Sequence, residues 1–118
     1  MGVKPYKETQ TIVKNIQVPR CGHPRFYELL EEMADLHARK NSDYAIDSDP
    51  LSNLRRCERI DIPAWKGVIV RLEDKWDRVE KLTLKGKPAV ETESIKDTLM
   101  DSAVYALLCY VLIEEAEK

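Results

Sequence analysis

The chain has 118 residues, of which 43% are hydrophobic and 34% are charged, with 4 Gly and 6 Pro. This length fits one domain with its own core, and the composition excludes low-complexity disorder, collagen and a glycine-rich β chain. Lys and Arg number 19 against 21 Asp and Glu, without a basic stripe. The charge pattern therefore does not indicate nucleic acid as a partner.

The three cysteines are widely spaced and form no CxxC pair, which is typical of reduced thiols in the cytoplasm. Cys109 lies in an apolar run and is predicted to be a small core residue. That run, residues 103–113, is too short to cross a bilayer, and residues 1–19 lack the apolar core of a signal peptide. We therefore expect a cytoplasmic protein without a membrane partner.

Residues 1–23 contain two prolines and lack helical periodicity, so they are predicted to form an irregular arm, with residues 11–18 as a candidate edge strand. A first helix is predicted from Pro24 to near Lys40. Its apolar face comprises Phe26, Leu29, Leu30, Met33, Leu36 and His37. A polar loop around Tyr44 follows, and then a short helix from Leu51 to about Ile60, closed before Pro63.

Two further long helices complete the predicted fold. The third helix ends before Gly86 and has an inward stripe that includes both tryptophans: Trp65, Ile69, Leu72, Trp76, Val79 and Leu82. The last helix is capped by Thr92 or Ser94, and its inward face comprises Ile95, Leu99, Ala103, Ala106, Tyr110 and Ile113. The prediction is an all-α helical bundle of three long helices plus one short helix, as a single domain over residues 24–118. Apolar surface left uncovered by so few helices predicts a homo-oligomer, such as a dimer.

Acidic residues beside the apolar stripes are the main chemical signal. Glu73, Asp74 and Asp77 can converge on one face of the third helix, because residues three and four apart are neighbours there. Asp97 and Asp101 stand four apart in the last helix. Carboxylates that face one another repel unless a cation lies between them. Mg²⁺ suits such oxygen ligands and engages substrate phosphates, with Mn²⁺ as the substitute. No Glu-x-x-His pair is present to indicate a di-iron site.

The order of these acids resembles a known signature. Glu73-Asp74-x-x-Asp77, a 19-residue gap and then Asp97-x-x-x-Asp101 resemble the EExxE and ExxD motifs of the MazG-like all-α nucleoside triphosphate pyrophosphatases. The last pair departs from that pattern by one residue, which leaves open whether Asp97 or Glu93 completes the site. A longer stretch, about residues 24–115, looks like the phage and bacterial branch called the nucleotide modification associated domain. The matching segments are KNSDYA at 40–45, DPLSNL at 49–54, RLEDKWDR at 71–78 and DTLMDSAVYA at 97–106.

The resemblance implies an all-α fold, a divalent metal, a nucleotide ligand and an oligomer. We therefore expect a Mg²⁺-dependent pyrophosphohydrolase that converts a nucleoside triphosphate, natural or modified, to monophosphate and pyrophosphate. The expected metal ligands are Asp74, Asp77, Asp97 and Asp101, and the expected catalytic residues are Glu73, Asp74 and Asp77. The expected substrate-binding residues are Lys40, Asp43, Tyr44, Asn53, Lys75 and Arg78.

Simpler interpretations stand beside this one. The acidic cluster could be a solvated helix face paired with Lys75, Arg78 and Lys81. Asp43, Tyr44 and Asn53 could only stabilise turns. A second acidic motif, Glu31-Glu32-x-x-Asp35, could supply a ligand from the first helix. At the level of function, the alternatives are a nucleotide-binding protein without turnover and a plain helical interaction module.

Overall fold

A computed structural model describes residues 20–44, 49–85 and 88–118, with side chains over 20–41, 49–84 and 94–118. Three α-helices and one 3₁₀ helix follow one another along these ranges: α1 (Pro24–Tyr44), the 3₁₀ helix (Ser52–Ile60), α2 (Ala64–Lys85) and α3 (Pro88–Ala116). No strand lies in the described parts of the chain. The all-α prediction is confirmed. Residues 1–19, including the candidate edge strand, lie outside the described residues.

Local sequence explains where the first elements begin. Pro24 occupies the first position of α1, and the His23 ring nitrogen Nδ1 accepts a hydrogen bond from the Arg25 backbone N–H at 3.0 Å. His23 thereby caps one of the amides that the first turn leaves unpaired. α1 ends at Tyr44, four residues beyond the predicted end at Lys40, so Tyr44 belongs to the helix and not to a loop.

The short helix is predicted correctly in position but has 3₁₀ geometry. Its C-terminus closes on Asp61, whose φ of 63° is left-handed. The Asp61 N–H donates to the Glu58 carbonyl at 3.1 Å, and the Ile62 N–H donates to the Cys57 carbonyl at 3.2 Å. This pair of bonds is a Schellman motif, which reverses the chain sharply before α2.

One ion-paired residue fixes the other end of the 3₁₀ helix. Arg55 Nε donates to Asp49 Oδ2 at 2.7 Å, and Arg55 Nη2 donates to Glu115 Oε1 at 2.8 Å. Asp49 Oδ1 also accepts the Leu51 backbone N–H at 3.0 Å. These bonds to Arg55 and Leu51 hold the pKa of Asp49 below its ordinary value. Arg55 therefore connects the loop before the 3₁₀ helix to the last turns of α3.

The core lies where the 3₁₀ helix, the start of α2 and the second half of α3 meet. Its buried members are Leu51, Leu54, Ala64, Val68, Cys109 and Leu112, and Trp65, Leu72, Tyr105, Leu108 and Ile113 pack against them. Cys109 is a core residue, as predicted, and burial raises the pKa of its thiol. α2 and α3 pack along one another extensively, whereas α1 contacts α3 much less.

The predicted inward faces of α1 and α2 are wrong in part, because some of their residues are exposed. On α2, Trp65 and Val79 face the core, but Ile69 is 40% exposed and Trp76 is 53% exposed. On α1, Phe26 and Leu30 are exposed while the rest of the predicted face is half-buried. On α2 the inward positions include Val68, Leu72 and Lys75. Because Lys75 is charged, a hydrophobic pattern does not select this line.

The last helix differs most from prediction. α3 begins at Pro88, before the predicted caps Thr92 and Ser94, because proline suits a first helical position. Leu99 is 45% exposed and Tyr110 is 64% exposed, and Ala103 and Ala106 are exposed as well. The inward face instead runs through Thr98, Tyr105, Cys109 and Leu112, about a quarter turn away. No helix within the described residues has the length and apolar content needed to span a bilayer.

Candidate functional site

A cavity of about 430 Å³ lies where all three long helices approach one another. Its walls combine apolar residues of the core with a set of polar ones: His37, Lys40, Asn41, Asn53, Arg71, Asp101 and Tyr105. A volume of this size falls within the range of small-molecule sites. The polar residues come from every described element, so the fold itself assembles the cavity.

Asp101 lies at the junction of the three helices. Lys40 Nζ from α1 donates to Asp101 Oδ1 at 3.3 Å, and Lys75 Nζ from α2 lies 3.7 Å from Asp101 Oδ2. The Asp101 side chain is 32% exposed, and that of Lys75 is 25% exposed. One carboxylate near the interior of α3 is thus compensated by two ammonium groups, which is how a partly buried charge is tolerated.

A second cationic residue joins Lys75 around Tyr105. Arg71 Nη1 donates to the Tyr105 hydroxyl at 3.4 Å, and Lys75 Nζ lies 5.1 Å from the centre of the Tyr105 ring. Arg71 and Lys75 are four residues apart on α2, as are Asp101 and Tyr105 on α3, so each pair shares one helix face. Lys40, Arg71 and Lys75 carry three positive charges against the one negative charge of Asp101. The arrangement can therefore bind an anion such as a phosphate group.

Neutral hydrogen-bonding groups line the same space. Asn41 Nδ2 lies 3.2 Å from His37 Nε2, one turn apart on α1. Asn53 lines the cavity from the 3₁₀ helix. His37 is half-buried, in agreement with its predicted place on the apolar face of the first helix. These amide and imidazole groups could hydrogen-bond the sugar or base of a ligand whose phosphates bind the cations.

The structure brings together some of the predicted site residues. Lys40, Lys75 and Asp101 are in contact through the ion pairs given above, and Asn53 lines the same cavity. Arg78, predicted to bind substrate, lies exposed on α2 outside the cavity lining. The side chains of Asp43, Tyr44 and Glu93 lie outside the described residues, so their predicted roles stay predictions.

The predicted metal ligands do not converge in the described structure. Asp77 is ion-paired with Lys81 at 2.9 Å on the surface of α2, and Asp74 is exposed there, as is Glu73. Asp97 lines a different groove, between α1 and α3. Asp101 is occupied by Lys40 and Lys75. Among the described residues, no group of three or more His, Cys, Asp or Glu is placed to hold a metal ion.

The second acidic motif gives the same result. Glu32 accepts a hydrogen bond from Arg25 at 2.6 Å, and Glu31 and Asp35 are exposed on α1. Within the described ranges these donors are not grouped at one point, and the magnesium site stays a prediction of the sequence. Asp77 and Glu32 each form a surface ion pair, which is the simpler interpretation of the acidic residues.

Besides His37 and Asn41, the sequence analysis missed two site residues, Arg71 and Tyr105. Both fall within segments that carry the family resemblance, but neither was assigned a role. The available signal was their spacing, because Arg71 precedes Lys75 by four residues and Tyr105 follows Asp101 by four. On a helix such spacing places each of them beside a predicted site residue.

Comparison of the chain with protein-family models, with characterised proteins and with solved structures finds no match in any of the three. The MazG-like resemblance therefore stays a prediction that rests on the residue pattern. The helical fold and the cavity are observations that do not depend on that resemblance.

Proposed function

We propose that the chain is a nucleotide pyrophosphohydrolase that binds the phosphates of a nucleoside triphosphate in the cavity beside Asp101. The supporting observation is the surplus of positive charge around that carboxylate. Lys40 and Arg71 line the cavity, and Lys75 is ion-paired with Asp101 beside it. A triphosphate carries several negative charges, and lysine and arginine donors form strong charge-assisted hydrogen bonds with its oxygens. In the proposed reaction, water attacks the α-phosphorus, the bond to the β-phosphate oxygen breaks, and pyrophosphate leaves.

The remaining parts of the proposal come from the sequence. Mg²⁺ is the expected cofactor, and the protein is proposed to act in the cytoplasm as a homo-oligomer, with dimers as the expected form. Glu73, Asp74 and Asp77 are the proposed catalytic carboxylates, although they lie apart from Asp101. Phosphoryl transfer depends mainly on positioning and charge neutralisation. The cations Lys40, Arg71 and Lys75 would supply that neutralisation, and their positions are the part of the proposal that the structure supports.

The first test is turnover. The purified chain is incubated with each ribo- and deoxyribonucleoside triphosphate and Mg²⁺, while monophosphate and pyrophosphate are measured. Lys75→Gln removes one cation of the cluster and is expected to lower kcat/KM for the best substrate by about 10-fold or more, the value of one charge-assisted hydrogen bond. Lys66→Gln is the matched control, because Lys66 is an exposed lysine of the same helix that lies over the Trp65 ring, whereas Lys75 is paired with Asp101. Equal losses in both variants would contradict the assigned site.

A nucleotide-binding protein without turnover is the second candidate, and the separation of the predicted metal ligands favours it. Turnover by the wild-type chain distinguishes the two functions, and Asp101→Asn tests the role of Asp101. If Asp101 serves catalysis, the variant loses turnover. If it only neutralises Lys40 and Lys75, the variant frees two cations and binds pyrophosphate about 10-fold more tightly in calorimetry. Failure of every nucleotide to bind, with a melting temperature insensitive to Mg²⁺, would leave the helical interaction module.

A further inference from the structure

One exposed stripe on α3 is mostly apolar and regularly spaced, which exposure to solvent alone does not explain. Leu99, Ala103, Ala106 and Tyr110 recur in steps of four, three and four residues, and all are exposed. Steps of this kind define the seam of a coiled coil, where one helix packs against another. Lys96 extends the stripe at one end and Glu114 at the other, and we call these six residues the α3 seam.

Other apolar residues continue the surface around the seam. Leu107 is 55% exposed beside it, and residues 103–113 of α3 are apolar on every side of the helix. A helix that is apolar all round is normally buried all round. α2 and the 3₁₀ helix cover one side of α3, and among the described residues nothing covers the side that carries the α3 seam.

A groove of about 900 Å³ adjoins the first half of the α3 seam. Its walls are Lys96, Leu99 and Ala103 of α3 and the facing side of α1, including Phe26 and Leu30, both of which are exposed. The groove has an apolar floor and a rim that bears both signs of charge. Its shape and chemistry suit an amphipathic helix with a large aromatic residue.

We propose that the α3 seam is the interface of a homodimer in which two copies of α3 pack antiparallel about a twofold axis between Ala103 and Ala106. The order of side-chain sizes, large, small, small, large, reads the same in both directions along the helix. An antiparallel pairing therefore places Leu99 against Tyr110 of the partner subunit and Ala103 against Ala106 of the partner subunit. Two small residues at the axis let the helix backbones approach closely.

The charges at the two ends of the α3 seam favour a second copy of this chain as the partner that covers it. In the antiparallel arrangement, Lys96 lies opposite position 113 of the partner subunit, one residue from Glu114 of the partner subunit. Twofold symmetry forms the ion pair between Lys96 and Glu114 of the partner subunit twice. A parallel arrangement would instead align like charges, which is unfavourable. Tyr110 of the partner subunit would enter the groove near Phe26 and Leu30, so each copy would fill the groove of the other. This inference deepens the self-association within the proposed function and rests on that part alone.

The first experiment measures mass in solution by sedimentation over a range of micromolar concentrations. The full chain is expected to be a dimer, and Ala106→Glu is expected to raise the dissociation constant by about 100-fold, because two like charges meet at the axis. Ala38→Glu is the control, since Ala38 is exposed on α1 outside the groove lining. Circular dichroism establishes that both variants stay helical. A monomeric wild-type chain, or a dimer unaffected by Ala106→Glu, would overturn the proposal.

A charge swap tests the direction of packing. Lys96→Glu alone and Glu114→Lys alone each replace two attractive pairs by repulsive ones and should weaken the dimer by about 10-fold. The double variant should recover wild-type affinity to within about 2-fold. Additive losses in the double variant would overturn the antiparallel register.

The same samples separate this proposal from the proposed function. Pyrophosphate binding to the wild-type chain is measured by calorimetry on the samples whose mass is measured by sedimentation. A dimer that binds no pyrophosphate supports the interface and contradicts the nucleotide site. A monomer that binds pyrophosphate does the opposite.

Discussion

Gly67 on α2 has little room for a larger residue. A Cβ atom at this position would lie 2.7 Å from the Cys57 Sγ and 3.6 Å from the Cys57 Cβ. The first distance is far inside van der Waals contact, whereas the second is an ordinary contact. The Cys57 sulfur is also within weak hydrogen-bonding range of the Leu54 carbonyl at 3.9 Å and the Pro63 carbonyl at 3.8 Å. Gly67→Ala therefore forces the sulfur of the 3₁₀ helix away from α2.

The expected energy follows from two opposing effects. Alanine in place of glycine within a helix stabilises it by up to about 1 kcal/mol. Overpacking against a buried neighbour destabilises a protein by about 1 to 3 kcal/mol. We expect Gly67→Ala to lower the free energy of unfolding by about 1 kcal/mol, which corresponds to roughly 4 °C in Tm for a domain of this size.

The decisive comparison uses the Cys57→Ala background. Without the sulfur, only the ordinary contact to the Cβ of residue 57 remains, so Gly67→Ala should raise stability by up to about 1 kcal/mol there. Urea denaturation followed by circular dichroism on the four chains gives the coupling energy, expected at about 1 to 3 kcal/mol. If Gly67→Ala has the same effect in both backgrounds, the contact between α2 and the 3₁₀ helix does not limit this position and the reasoning is refuted.

Two further predictions concern titratable groups. The pKa of Asp49 is lowered by Arg55 and Leu51, so its contribution to stability is complete above about pH 5, its unfolded pKa being near 3.9, and disappears as pH falls through the folded pKa. Asp49→Asn should lower the free energy of unfolding by about 1 kcal/mol at pH 7 and by less at pH 2, and equal losses at both pH values in thermal melts would contradict this. Burial raises the pKa of the Cys109 thiol, so Cys109 should react with iodoacetamide at least about 10-fold more slowly than the exposed Cys21, as read by mass spectrometry. Comparable rates under native conditions would show that Cys109 is not enclosed by the core.

Helix existence could be predicted from the sequence, whereas helix orientation could not. Proline positions and periodic apolar residues located α1, the short helix and α2 closely. In α3 the run of apolar residues from 103 to 113 makes every face look like an inward face, so periodicity has no contrast to use. The true inward face includes Thr98 and Asp101, which a hydrophobic pattern excludes. Thr98 is tolerated because its hydroxyl donates to the Ser94 carbonyl at 2.9 Å.

The site was predictable in part for a related reason. Lys40, Asn53, Lys75 and Asp101 were selected by sequence. Lys40, Asn53 and Asp101 line one cavity, and Lys75 is ion-paired with Asp101 beside it. Their partners were not predictable, because Asp101 was expected among carboxylates and lies between lysines instead. Which residues of two helices face each other depends on the rotation of each helix about its axis, and that rotation is decided by packing.

The weak attachment of α1 affects how a ligand would reach the interior. α1 forms one wall of the cavity, yet it touches the remainder of the described fold mainly through α3 and the ion pair between Lys40 and Asp101. An element with few buried contacts undocks at a lower free energy than the global unfolding of the protein. Transient undocking of α1 would therefore widen the cavity from one side, and its rate should respond to salt, which screens the ion pair between Lys40 and Asp101.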